Sequence, residues 1–203
     1  PPEPEPALIH ESFDDTPPGN PPENTFIHTE DRQDAIVVTD ELAASGKHCL
    51  KVTDGPDFEN IWNPHLFYQP HFRDGKAVLE FDLRLEKGAV FSHAWRDARS
   101  PFSVGPSISI EPDGRLLANG KPLCTVPFGR WLHVSIVCGL GSGCHGTYDL
   151  AVTVQNGQGL VDQKSIPFGS PKFRTLEWLG FVSMATEAAT FYLDNINLDL
   201  EKN

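Results

Sequence analysis

Residues 76–86 constrain the fold more than any other stretch of the chain. Ala77, Leu79, Phe81, Leu83 and Leu85 fall at every second position, with Glu80, Asp82, Arg84 and Glu86 between them. Side chains alternate from face to face along a strand and recur about every 3.6 residues on a helix. This stretch is therefore an antiparallel strand with one face on a core and the other in water. The same period recurs at 131–138 (Leu132, Val134, Ile136) and at 148–154 (Tyr148, Leu150, Val152, Val154). No long segment keeps a helical period, and 18 prolines and 17 glycines cut the chain into short runs. Further strands are expected at 8–14, 35–39, 48–53, 89–95, 107–110, 115–118, 160–166, 178–184 and 190–200. About a dozen short strands separated by turns predict an all-β domain built as a two-sheet antiparallel β-sandwich.

Charge narrows the partners. Sixteen Lys and Arg against 28 Asp and Glu give a formal net charge of −12. That disfavours nucleic acid and anionic membrane surfaces, which attract basic patches. No run approaches the ~18 apolar residues of a membrane span. The opening Pro-Pro-Glu-Pro-Glu-Pro reads as an extended, solvated spacer. Residues 1–7 are thus expected to be a linker tethering a single domain, 8–203, to another domain or a surface. With neither Met nor an apolar leader at its start, the chain reads as part of a processed precursor, extracellular or periplasmic. The four cysteines form no C-x-x-C pair, so a zinc site is not expected. Cys138 and Cys144 flank a glycine-rich turn and are either a hairpin-end disulfide or two free thiols.

The last strand interrupts its own pattern. With a strict period of two, Tyr192, Ile196, Leu198 and Leu200 share one face, which reads as the core face, and Asp194 shares it too. Near the other end, Glu11 alternates with Ile9 and Phe13. A carboxylate on an apolar face must be paired, ligate a metal or be neutralised. The two together suggest a brace between the first and last strands.

Several segments in order resemble the concanavalin A-like jelly-roll superfamily of lectin, laminarinase and carbohydrate-binding domains. They are His10-Glu-Ser-Phe-Asp14, Ser45-Gly-Lys-His-Cys-Leu50, Phe128-Gly-Arg-Trp-Leu-His-Val-Ser-Ile136 and Phe191-Tyr-Leu-Asp-Asn-Ile-Asn-Leu198. The resemblance implies a jelly-roll sandwich, and it implies a structural calcium held by Asp194, an acid from Glu11 or Asp14, and carbonyls near Gly46. A hard cation with oxygen ligands suits such residues. The alternative is that Asp194 caps backbone amides or pairs with a basic side chain.

Fold alone does not decide activity. Laminarinase-like enzymes carry an acid cluster resembling Glu80-Phe-Asp-Leu-Arg-Leu-Glu86, but here Arg84 stands where the nearer second acid would lie. A flat strand puts Glu80 and Glu86 ~20 Å apart and Glu80 and Asp82 ~6.6 Å apart, and only the latter suits glycosidase chemistry. A lyase would instead need a His or Tyr base beside Arg, which His93, Tyr68, Arg96 and Arg99 offer, although the usual alginate-lyase sequence blocks are absent. For sugar binding, the candidates are Trp62, Asn63, His65 and Tyr68 in one segment and His93, Trp95, Arg96 and Arg99 in another, with Arg84 on the wet face. Trp131 and Trp178, set among apolar residues, are expected in the core. The sequence favours a non-catalytic polysaccharide- or glycan-binding domain. A glycoside hydrolase or polysaccharide lyase using Glu80 and Asp82, or His93 and Arg96, is the alternative, and a structural or adhesive domain without a ligand is the third reading.

Overall fold

The computed structural model describes residues 2–202; Pro1, at the head of the expected linker, and Asn203 lie outside them. Fifteen strands run in chain order: β1 Ile9–Glu11, β2 Phe26–His28, β3 Ile36–Thr39, β4 Cys49–Asp54, β5 His65–Tyr68, β6 Gly75–Leu85, β7 Phe91–Arg96, β8 Val104–Ile110, β9 Arg115–Ala118, β10 Lys121–Thr125, β11 Trp131–Leu140, β12 Thr147–Val154, β13 Gly159–Pro167, β14 Trp178–Ser183 and β15 Ala189–Glu201. All pairings are antiparallel. An eight-stranded sheet has the order β13-β12-β11-β6-β15-β4-β3, with β1 also on β15; a seven-stranded sheet has the order β10-β9-β8-β7-β14-β5-β2. The expected all-β jelly-roll sandwich is the observed fold. No helix among the described residues is long and apolar enough to cross a membrane.

The core lies between the sheets. Strand β6 buries Ala77, Leu79, Phe81, Leu83 and Leu85, as its alternation requires. Phe81 meets Phe181 edge to face at 5.1 Å, and Phe91 meets Phe191 likewise at 5.2 Å. Burying such rings adds to the hydrophobic stabilisation that the aliphatic core supplies.

One expectation about the closing strand is corrected. Asp194 pairs with Asp82 and Asn197 with Glu80, so β15 carries an extra residue between them, and Asn195 takes a φ of 48°. This bulge resets the alternation. Phe191 and Leu193 point inward before it, and Ile196 and Leu198 after it. Asp194 therefore faces outward with Tyr192, while Glu11, opposite Ile196, keeps to the inner side at the rim. The two carboxylates lie on opposite faces of one sheet.

The brace nevertheless exists, in another form. Ala44 N–H and Ser45 N–H donate to Asp194 Oδ2 at 2.8 and 3.3 Å, and Asn195 N–H donates to Oδ1 at 2.8 Å. Lys47 and His48 N–H groups donate to Asp14 Oδ1 at 2.7 and 2.9 Å. The turn over residues 44–48 is thus gripped by a carboxylate at each end. Gly46 (φ 68°) is required there, because a Cβ would collide with the Asp14 carboxylate. These donor sets do not fit a calcium cage. Amide hydrogens already point at the oxygens a cation would need, and among the described residues no group of three or more His, Cys, Asp or Glu converges.

Residues 2–7 form no strand, but they touch the body: Arg73 pairs with Glu3, and Ala7 N–H donates to Pro70 O at 2.8 Å. All four cysteines are free thiols, Cys138 and Cys144 included.

Candidate active site

The residues singled out from sequence separate onto two outer faces and the interior. Glu80, Asp82 and Arg84 lie on the outer face of the eight-stranded sheet. There the His133 ring stands between the acids, with Nδ1 at 2.8 Å from Asp82 Oδ1 and Nε2 at 3.3 Å from Glu80 Oε1. Burial works to lower the imidazole's pKa, but the two carboxylates outweigh it and hold it above its ordinary value. Arg84 Nε donates to Glu86 Oε1 at 2.9 Å. The imidazole bridges the two acids, so both carboxylates of this charge ladder are engaged with it.

His93 and Trp95 are fully buried. Trp95 Nε1–H donates to His93 Nε2 at 3.0 Å, and His93 Nδ1–H donates to Gly180 O at 2.8 Å, which locks one neutral tautomer. Burial holds that imidazole down to about 3. Tyr68 points into the core as well. None of the three presents a surface to a ligand. Arg99 sits on the loop after β7, its Nε 3.2 Å from Asp97 Oδ2, and Trp62 is more than half exposed beside β5.

The outer face of the seven-stranded sheet carries a different assembly. Cross-strand pairing brings Phe26 beside Phe67 and His28 beside His65. The two phenyl rings stack at 5.0 Å and the two imidazoles at 4.6 Å. Phe67 stacks on Trp178 at 5.6 Å, and the Arg96 guanidinium lies 3.9 Å from the Trp178 ring and 4.2 Å from that of Phe102. Trp178, expected in the core, is in fact the centre of this exposed row. Its indole lies over Gly180, where any Cβ would strike the ring. Beyond it Gly180, Ala94 and Ser107 are cross-strand neighbours, as are Ser92 and Ser109. Small side chains thus lie beside the aromatic row.

Two groups in this row have chemical potential. Among the described residues Arg96 has no carboxylate partner, and its Nε lacks any hydrogen bond. Burial alone lowers its pKa from the ordinary value, the mark of a desolvated cation without a counter-charge in the protein. His65 Nδ1 lies 3.0 Å from Trp62 O and 2.8 Å from Asn63 Oδ1. Both partners accept only, and Asn63 is oriented by its Nδ2 donating to Glu30 Oε1 at 2.7 Å. Nδ1 therefore carries the proton, leaving Nε2 with a lone pair. Burial, and then the neighbouring His28, hold His65 down to about 4, so it is a neutral base across the physiological range.

The sequence pointed to His65 and Arg96, with Phe102 just after the second candidate segment, but it assigned Trp178 to the core and did not single out His28 or Phe67. Strands β2 and β5 were not expected, because three or four residues show too little alternation to stand out. The signal present was His65 and Phe67 alternating with buried Leu66 and Tyr68.

No protein-family model matches the chain, and no curated protein matches its sequence. Solved structures do. An endo-β-1,4-glucuronan lyase from the fungus Trichoderma reesei is 10% identical, over 95% of this chain and 94% of that one, with a TM-score of 0.66. A marine PL-14 alginate lyase from Aplysia kurodai is 8% identical, over 88% and 91%, at 0.62. The catalytic domain of a glycoside hydrolase family 131 protein from Coprinopsis cinerea is 14% identical, over 93% and 92%, also at 0.62. The fold is thus the concanavalin A-like jelly roll. These neighbours also correct the expectation of a non-catalytic binding domain: the three structures named are two polysaccharide lyases and a glycoside hydrolase, which favours the catalytic alternative.

Proposed function

We propose that the chain cleaves an acidic polysaccharide by β-elimination on the outer face of the seven-stranded sheet. The observation that carries this reading is Arg96, a half-buried guanidinium flanked by Trp178 and Phe102, without an acid of its own in a chain of net charge −12. A planar guanidinium suits the carboxylate of a uronate residue, and the aromatic rings offer flat apolar surfaces to sugar C–H faces.

The chemistry follows from the two groups. Arg96 neutralises the uronate carboxylate and so acidifies the hydrogen on the ring carbon bearing it. His65 Nε2 takes that proton. The electron pair released forms a double bond to the adjacent ring carbon, whose bond to the glycosidic oxygen breaks. The departing oxygen takes a proton from water and becomes a free hydroxyl, and the His65 imidazolium gives its proton back to water, so the protons balance. Fixed donors aimed at developing charge are worth most in partly desolvated sites such as this one. The step uses no metal ligand among the residues named.

The test is incubation with glucuronan, alginate and polygalacturonate, following ultraviolet absorbance of the unsaturated product together with new reducing ends. Both should rise in step on at least one substrate. Reducing ends without absorbance would mean hydrolysis, and neither would remove the catalytic reading.

A further inference from the structure

The Arg96 platform is continued by a second cavity. Phe102 covers Arg96 on one side and, on the other, lines a hollow of about 460 Å³ formed with Arg99, Ser100, Ser103, Ser170 and Lys172. That volume is within the range of small-ligand sites. The lining includes two cations and no acid. Asp97, the acid next to it, is buried: its Oδ1 accepts from Ser103 N–H at 2.7 Å and from Arg99 N–H at 3.2 Å, and its Oδ2 lies 3.2 Å from Arg99 Nε, which leaves the terminal nitrogens of Arg99 and the Lys172 ammonium to face the hollow. Asp97 thereby shapes the loop that presents Arg99. No hydrogen bond to the terminal nitrogens of Arg99, and no ion pair of Lys172, occurs among the described residues. Two cationic positions, Arg96 and the Arg99–Lys172 hollow, thus lie on either side of one exposed aromatic ring.

We infer that the Arg99–Lys172 hollow is a second acidic-sugar subsite, which makes the chain selective for polysaccharides carrying carboxylates on neighbouring residues over those in which uronates are isolated among neutral sugars. This inference rests on the proposed function and specifies its substrate. Phe102 stacks between the two subsites; Arg99 and Lys172 hold the carboxylate of the flanking residue, and the hydroxyls of Ser100, Ser103 and Ser170 are the neutral donors of the hollow. Recognition is electrostatic and therefore sensitive to salt.

The experiment is calorimetric titration of the full chain with diuronides of gluco-, manno- and galacto-configuration and with disaccharides of one uronate and one neutral sugar. Wild type is compared with Arg96→Ala, Lys172→Glu and the Arg99→Ala/Lys172→Ala pair. Lys172→Glu leaves the Asp97–Arg99 contact intact and guards against a loop collapse in the pair, and melting temperatures report folding. The expected result is a preference of wild type for the diuronide over the half-neutral disaccharide that falls about tenfold in Lys172→Glu and in the pair, with the affinity for the half-neutral disaccharide unchanged. Arg96→Ala should weaken both ligands. An unchanged preference in both hollow variants overturns the subsite while leaving Arg96 in place. Loss of the preference in the hollow variants with no effect of Arg96→Ala overturns the proposed function but keeps the hollow as an anion site. Failure of wild type to bind any diuronide overturns both.

Discussion

In the proposed elimination, Arg96 is the cation that stays charged and His65 the base that stays neutral. Each is set by its surroundings: Arg96 by the rings of Trp178 and Phe102, His65 by two acceptors on Nδ1. Replacing Arg96 by Ala should lower kcat/KM on the active polyuronate by about a hundredfold to a thousandfold with little change in melting temperature, and Arg96→Lys should recover only part of it, because an ammonium lacks the planar fork. An Arg96→Ala enzyme with undiminished kcat/KM would remove the carboxylate role. His65 must be neutral to act, and it is held down to about 4. The activity of the free enzyme should therefore be level through neutral pH and fall only as pH drops through about 4, tenfold per unit below it. A limb near the ordinary imidazole value would assign the base to another residue.

Strand β15 shows what a single extra residue does to an element. The bulge at Asn195 turns Asp194 from the core to the outer face, where it is fully buried beneath the 44–48 turn and receives three backbone N–H groups. Burial pushes its pKa up to about 6, the three amides offsetting only part of the effect. A carboxyl whose pKa is raised by folding binds its proton more tightly in the folded state. Its contribution is thus fully present below the ordinary carboxylate value and is lost as pH rises through about 6. The difference in unfolding free energy between wild type and Asp194→Asn should shift by about 2 kcal/mol toward wild type from about pH 7 to about pH 4.5, read by urea melts at each pH. A constant difference would show that Asp194 does not titrate there. Asp194→Ala strands the amides of Ala44, Ser45 and Asn195 and should cost about 2–3 kcal/mol. Chelation of calcium should leave the wild-type melting temperature where it is, since amide donors rather than a cation satisfy these oxygens; a chelator-induced fall would restore the metal.

At the scale of the molecule, the sandwich separates two polar faces that look alike in sequence. Glu80, Asp82 and His133 close on one another over the eight-stranded sheet, while Arg96, His65 and the aromatic row stay open over the seven-stranded one. A Glu80→Gln/Asp82→Asn variant should accordingly keep its turnover on polyuronate and change only in stability; a loss of turnover with the fold intact would move the active site to the other sheet. The alternation of 76–86, 131–138 and 148–154 determined the all-β class and the core, because period-two burial is a local property that a strand carries with it. The abundance of Pro and Gly determined that these strands are short. Which face each short strand presents, and to whom, was decided only by tertiary structure. The bulge that moved Asp194 leaves no mark in residue order, and the stacking of Trp178 between Phe67 and Arg96 joins residues 111 and 82 positions apart. A site made by lateral pairing depends on registers between distant segments, and those are settled only when the sheets have formed.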